Sequence, residues 1–257
     1  MRMTGDDSDK RRRTLLRRMG IDVWVPREAP AGTPAATEAV DAGGPEPAPP
    51  TAPEPSPQPA QPGEPAASGH AVAQMDWQEL AATVAGCTRC PLCESRTQTV
   101  FGVGRRDADI LVVGEAPGAE EDRRGEPFVG RAGQLLDSML QALGYGRERV
   151  FIANILKCRP PRNRDPEPAE VEACRPYLER QIALVAPRVI LAVGRVAAQN
   201  LLATDKPLRM LRQRLHTLEP QGIPVVVSYH PAYLLRSPAD KAKAWDDLKR
   251  LRENLPG

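Results

Sequence analysis

The stretch ADILVVGEAPG, residues 108 to 118, decides the fold. Ile110 to Val113 form an unbroken apolar run, whereas a half-solvated strand would alternate, so they read as a strand buried on both faces. Gly114 and Pro117 then end it in a tight loop. Upstream, MDWQELAATVAGC (75–87) has helical spacing. Downstream, VGRAGQLLDSMLQALG (129–144) puts Leu135, Leu136, Met139 and Leu143 on one helical face until Gly144 stops it. The alternation continues with strand VFIANI (150–155), helix PAEVEACRPYLERQIALV (168–185), strand RVILAVG (188–194), a short helix (195–202), strand IPVVVSY (223–229) and a closing helix from about 238 to 253. Non-alternating strands separated by helices predict an α/β fold, a three-layer α/β/α sandwich with a central parallel sheet of about four strands. Ligands of such sheets bind beyond the carboxyl ends of the strands, which is where Glu115, Asn154 and His230 fall.

The rest of the chain divides by composition. Residues 1–30 carry eight Lys or Arg against five acidic residues, and residues 31–70 hold eleven prolines and no Lys or Arg. The expected organisation is a basic and apolar arm (1–30), a disordered Pro/Ala-rich linker (31–72) that cannot bury enough apolar surface to offset its ordering entropy, and a catalytic domain (73–257). In the arm, RRRTLLRRMGIDVWVPRE (11–28) reads as a basic helix ended by Gly20 and an alternating segment, Ile21, Val23 and Val25, beside Trp24. It suits either a peptide that docks a protein partner through residues 11–27 or a strand packed back on the domain. No apolar run is long enough to span a membrane, and the N-terminus lacks the apolar core of a secretion signal, so a cytoplasmic protein is expected. The globular part is mildly basic, which permits a polyanionic partner.

Neither GxGxxG nor a Walker lysine accompanies the glycines, which argues against nucleotide chemistry. The five cysteines are more informative: Cys87, Cys90 and Cys93 are spaced C-x2-C-x2-C, and Cys158 and Cys174 follow. Zinc and iron-sulfur sites both need about four ligands, so count alone does not separate them. Spacing leaves open the pair 87/90 with 158/174, a set that uses Cys93, or thiols that are buried merely as small hydrophobes.

Three longer motifs surround these positions: GEAPGAEEDRRGEPFVGRAGQLLD (114–137), NILKCRPPRNRDP (154–166) and SYHPAYLLR (228–236). Together they resemble the iron-sulfur uracil-DNA glycosylases, the family 4 type, over nearly all of residues 76–253. The resemblance implies a monomeric enzyme acting on uracil-containing single- and double-stranded DNA. It would hydrolyse the N-glycosidic bond of deoxyuridine and leave an abasic site, the first step of base excision repair. The resemblance also implies one structural [4Fe-4S] cluster held by Cys87, Cys90, Cys158 and Cys174, with Cys93 a bystander. The substrate pocket would comprise Glu115, Ala116, Pro117, Phe128, Asn154 and His230.

The residue types fit those roles. A base must leave the stack before it is cleaved, and a flat ring such as Phe128 can stack on it. The Asn154 amide can accept from uracil N3–H and donate to O4, a pattern that cytosine reverses. His230 can donate to O2 as negative charge develops. Glu115 is the first choice for positioning water at C1′ and Glu121 the second, since the Asp of better-known uracil glycosylases is replaced here by Ala116. Phosphate contacts are expected from Arg123, Arg124, Arg131, Lys157, Arg159, Arg162, Arg164 and Arg236, and an apolar wedge from Leu234 or Leu235. A related family that links covalently to DNA carries Gln at the position of Ala116 and an additional basic loop, and this sequence has neither.

Overall fold

The structure, a computed structural model, describes residues 69–255; the basic arm and almost all of the Pro-rich segment lie outside the described residues. Six strands form one sheet: β1 (Val103–Gly104), β2 (Ile110–Gly114), β3 (Phe151–Asn154), β4 (Val189–Val193), β5 (His216–Leu218) and β6 (Ile223–Ser228). Their order is β1-β3-β2-β4-β6-β5. The four central strands are parallel, as the buried apolar runs predict, and the short edges β1 and β5 run antiparallel.

Side-chain alternation divides the core into two layers. Leu111, Val113, Phe151, Ala153, Ile190, Ala192, Val225 and Val227 face the helices Trp77–Ala85 and Pro168–Val185. Ile110, Val112, Ile152, Val189, Leu191, Val193 and Val226 face the helices Arg131–Ala142 and Lys241–Glu253. Every residue of β2 and β4 is buried, worth about 1.5–3 kcal/mol for each large aliphatic side chain. The expected linker overruns the domain slightly: Gly69–Val72 is helical and Val72 is buried in the core.

From β2 the chain crosses to β3 on one side and afterwards places β4 on the other, so the order reverses around β2. A crevice opens beyond the carboxyl ends at such a reversal. Register fixes what faces it: Gly114 is level with Asn154, and Val193 with Ser228. Glu115 and His230, one and two residues beyond their strands, therefore meet at the edge that carries Asn154.

Candidate active site

A cavity of about 480 Å³ occupies that edge, lined by Glu115, Ala116, Pro117, Phe128, Asn154 and His230 among others. All six residues expected to bind the substrate are thus brought together. Asn154 is 2% exposed, and its side-chain oxygen is buried without a hydrogen-bond partner. An unpaired buried acceptor is costly, on the order of 1–3 kcal/mol, unless a ligand donates to it. Gly114 makes the close approach possible, because a Cβ there would stand 2.4 Å from that oxygen and 2.7 Å from the Phe128 ring.

Phe128 stacks on His230 with ring centroids 5.6 Å apart and planes 29° apart. Its backbone is in the left-handed region, φ 54°, which is strained for any residue with a side chain. Two charged groups hold it there. The Arg147 guanidinium donates to the carbonyls of Phe128 (3.2 Å) and Pro127, and is itself held by Asp137 at 3.2 Å. From the other side, the Glu121 carboxylate accepts from the amides of Gly118 (3.1 Å), Val129 (3.0 Å) and Gly130 (3.3 Å). Glu121 is therefore a loop anchor whose oxygens are already engaged, unlike the free water-positioning carboxylate expected as the second choice there.

Glu115 differs. Its carboxylate has no hydrogen bond or ion pair among the described residues. Burial, with a smaller contribution from Asp165, pushes its pKa up, and Arg195 opposes the shift. At His230, Nδ1 accepts from the Ala232 amide at 3.2 Å, so the ring proton belongs on Nε2. Burial first, then Arg236, pushes its pKa down to about 4. The ring is thus a neutral donor.

Two other expectations fail for one reason, burial. Lys157 is 1% exposed, and its ammonium donates to the Asn154 main-chain carbonyl (2.9 Å) and to Gln181 Oε1 (2.6 Å), so it is no phosphate contact. Leu234, also 1% exposed, belongs to the core beside Leu136 and Leu140, which leaves half-buried Leu235 as the wedge candidate. Of the remaining cations, Arg164 and Arg236 line the cavity, and the set differs in freedom. Arg164 is bound bidentately to Glu170 (2.6 and 2.9 Å), Arg159 donates to Asn163 (2.8 Å), and Arg123 and Arg124 pair with Glu120. Arg131, Arg162 and Arg236 are exposed and make no ion pair among the described residues. Sequence reasoning missed Arg147, and it also missed Tyr233 and Asn163, which line the cavity; none of the three carries a local signal.

Cys87, Cys90, Cys158 and Cys174 line one small interior cavity, and Cys93 is not part of its wall. No three metal-ligating side chains among the described residues are grouped closely enough for a single ion. A four-iron body is larger and spreads its thiolates further apart, and the donor set fits it: four sulfurs around one void, with hydrogen bonds aimed at them. Arg96 donates to Cys158 Sγ at 3.0 Å and the Lys157 amide to Cys174 Sγ at 3.3 Å. Burial pushes the Cys174 thiol up to about 11, so it is neutral until a metal displaces its proton.

The chain is similar to proteins of one known family. The family model for the uracil DNA glycosylase superfamily matches residues 101–249. A type-4 uracil-DNA glycosylase of Archaeoglobus fulgidus is 42% identical over 181 residues, 68% of this chain and 91% of that protein. Type-4 enzymes of Pyrobaculum aerophilum and Thermotoga maritima are each 43% identical, over 92% and 82% of their own lengths. No helix among the described residues is long and apolar enough to cross a membrane.

Proposed function

The chain belongs to the type-4 branch of the uracil-DNA glycosylase superfamily, and on that premise we propose how its cavity excises uracil from DNA. The reaction is hydrolysis of the N-glycosidic bond of deoxyuridine, releasing uracil and leaving an abasic site for repair. The observation that carries the site assignment is the unpartnered Asn154 oxygen: it is an acceptor built into the floor of a cavity, matched to uracil N3–H and mismatched to cytosine. Phe128 supplies the stacking face and Gly114 the clearance. As the glycosidic bond breaks, charge grows on the uracil ring, and the Nε2–H of neutral His230 donates to O2. Glu115, unpaired and half-buried, orients the water that attacks C1′ and offsets the developing positive charge of the sugar.

DNA phosphates pair with Arg131, Arg162 and Arg236, and Leu235 fills the gap left by the extruded base. The same cavity accepts deoxyuridine from single- or double-stranded DNA, because a flipped nucleotide presents the same edges from either. Cys87, Cys90, Cys158 and Cys174 would hold a [4Fe-4S] cluster that supplies a cross-link between the Trp77–Ala85 helix, the chain after β3 and the Pro168–Val185 helix. The chemical steps use none of it.

The test is release of free uracil from a single-stranded oligonucleotide with one deoxyuridine, against its cytosine counterpart. Uracil release with no cytosine release is expected. N154A and N154D that excise uracil at the wild-type rate would sink the recognition scheme.

A further inference from the structure

Lys157 is an anomaly in charge. Its ammonium is buried, and both of its hydrogen-bond partners, the Asn154 carbonyl and the Gln181 amide oxygen, are neutral. Among the described residues no carboxylate pairs with it, and it lines the same cavity as Cys158 and Cys174. Buried cations are ordinarily paired, because an uncompensated one is strongly destabilising. A second cation shows the same deficit nearby: Arg89 lines the cysteine cavity, and one of its guanidinium nitrogens is buried without a partner. Arg96, bound to Cys158, completes a set of three cations around four thiols.

We infer that Lys157 is the counter-cation of the thiolate cage and, through the same ammonium, the positioning residue that holds Asn154 in the uracil pocket. The inference rests on the cluster reading given above. Four cysteinates around an iron-sulfur core leave net negative charge in a partly buried cavity, and Lys157, Arg89 and Arg96 offset it. Lys157 alone reaches the substrate side. It spans from the cage to the last carbonyl of β3, three residues back, and so fixes the backbone from which the Asn154 amide projects. Loss of the cage would strand its charge, and loss of its charge would weaken the cage. Uracil recognition and cluster retention are thereby tied to one side chain, although the cluster touches no substrate.

Two substitutions separate the halves. K157M removes both charge and donor; K157Q removes the charge but keeps a donor for the Asn154 carbonyl. Each as-isolated protein is assayed for iron content, for the rate of iron loss to a chelator followed by visible absorption, for the inhibition constant of free uracil, and for affinity to a uracil-free single strand. Iron loss at least about tenfold faster than wild type is expected in both, the scale of one charge-assisted hydrogen bond. The uracil constant should rise about tenfold in K157M and less in K157Q, with affinity for the uracil-free strand unchanged in both.

Wild-type iron retention in K157Q overturns the counter-cation role. An unchanged uracil constant in K157M, or an equal rise in both variants, overturns the link to Asn154. A wild-type protein free of iron overturns the cluster reading itself, whatever the variants do. If K157M does not fold, K157Q compared with wild type still decides both roles: normal iron retention, or a uracil constant raised as far as tenfold, counts against them.

Discussion

Just beyond β6, the Ala232 amide occupies the Nδ1 lone pair of His230, which confines the ring proton to Nε2, while burial keeps the ring from taking a second proton. A donor that is already neutral needs no protonation step, so the rate of excision should carry no inflection from His230 across neutral pH. Its folded pKa of about 4 lies below the ordinary 6.5, so the unfolded chain binds more protons between those values. The contribution to stability is therefore complete above 6.5 and is lost as pH falls through 4. H230A should lower kcat by about 10²–10³, the scale of one lost oxyanion donor, and leave DNA affinity near wild type. An excision profile with an inflection near 6.5 that vanishes in H230A would contradict the neutral ring. The two carboxylates should separate just as cleanly. In single-turnover excision E115Q should lose about 10²–10⁴, as removal of a group that orients water does. E121Q should instead lower stability by about 1–3 kcal/mol through its amide contacts, with a smaller loss in rate. Full activity in E115Q would remove Glu115 from the mechanism.

The loop between the helices Ala119–Arg124 and Arg131–Ala142 is held by opposite charges on opposite backbone groups, Arg147 on its carbonyls and Glu121 on its amides. Between them sits Phe128 at positive φ, a conformation that costs about 1–3 kcal/mol and persists only where the surroundings impose it. Gly133 completes the device, since a Cβ there would lie 1.8 Å from the Phe128 carbonyl oxygen. R147M should release the loop. The expected result is a stability loss of about 1–3 kcal/mol in denaturant titration and a several-fold rise in KM for a deoxyuridine oligonucleotide, with R147K recovering part of both. Unchanged KM in R147M would show that Phe128 is held without the clamp. This element also marks how far the sequence can be read. The parallel strands were legible because residues buried on both faces leave continuous apolar runs, and the site followed because Glu115, Asn154 and His230 fall just where those runs end. Arg147 was not legible, because its contacts lie about 20 residues back and depend on a turn that no local pattern announces. The edges β1 and β5 escaped notice for a related reason: two or three residues, half-buried, leave no periodicity. Lys157 and Leu234 show the opposite case: residue type suggests exposure for the lysine and leaves the leucine open as a wedge beside Leu235, and only the packed structure shows both inside.

Across the whole molecule, the helix Lys241–Glu253 closes one face of the sheet, yet it also bears on the site at the strand ends. Asp247, 1% exposed, accepts from Ser228 Oγ (2.8 Å) and from Arg212 (2.7 Å), joining the closing helix to the last residue of β6. The Arg212 guanidinium lies 3.8 Å over the Tyr229 ring, and Tyr229 stacks on Tyr233 with centroids 5.0 Å apart. Tyr233 lines the cavity, and His230 lies between the two tyrosines in sequence. The buried pair thus supports the fold and the backbone that presents His230 at once. D247N should leave Arg212 buried without its anion, costing about 3–5 kcal/mol and lowering Tm by roughly 10 °C or more. The double substitution R212M/D247L removes both charges together and should recover much of that stability, because a buried ion pair is often no better than apolar side chains of similar volume. It cannot recover the cation over Tyr229, so kcat should stay below wild type after Tm has returned. Recovery of Tm and kcat together would mean that the pair serves the fold alone and that the tyrosine stack does not depend on Arg212.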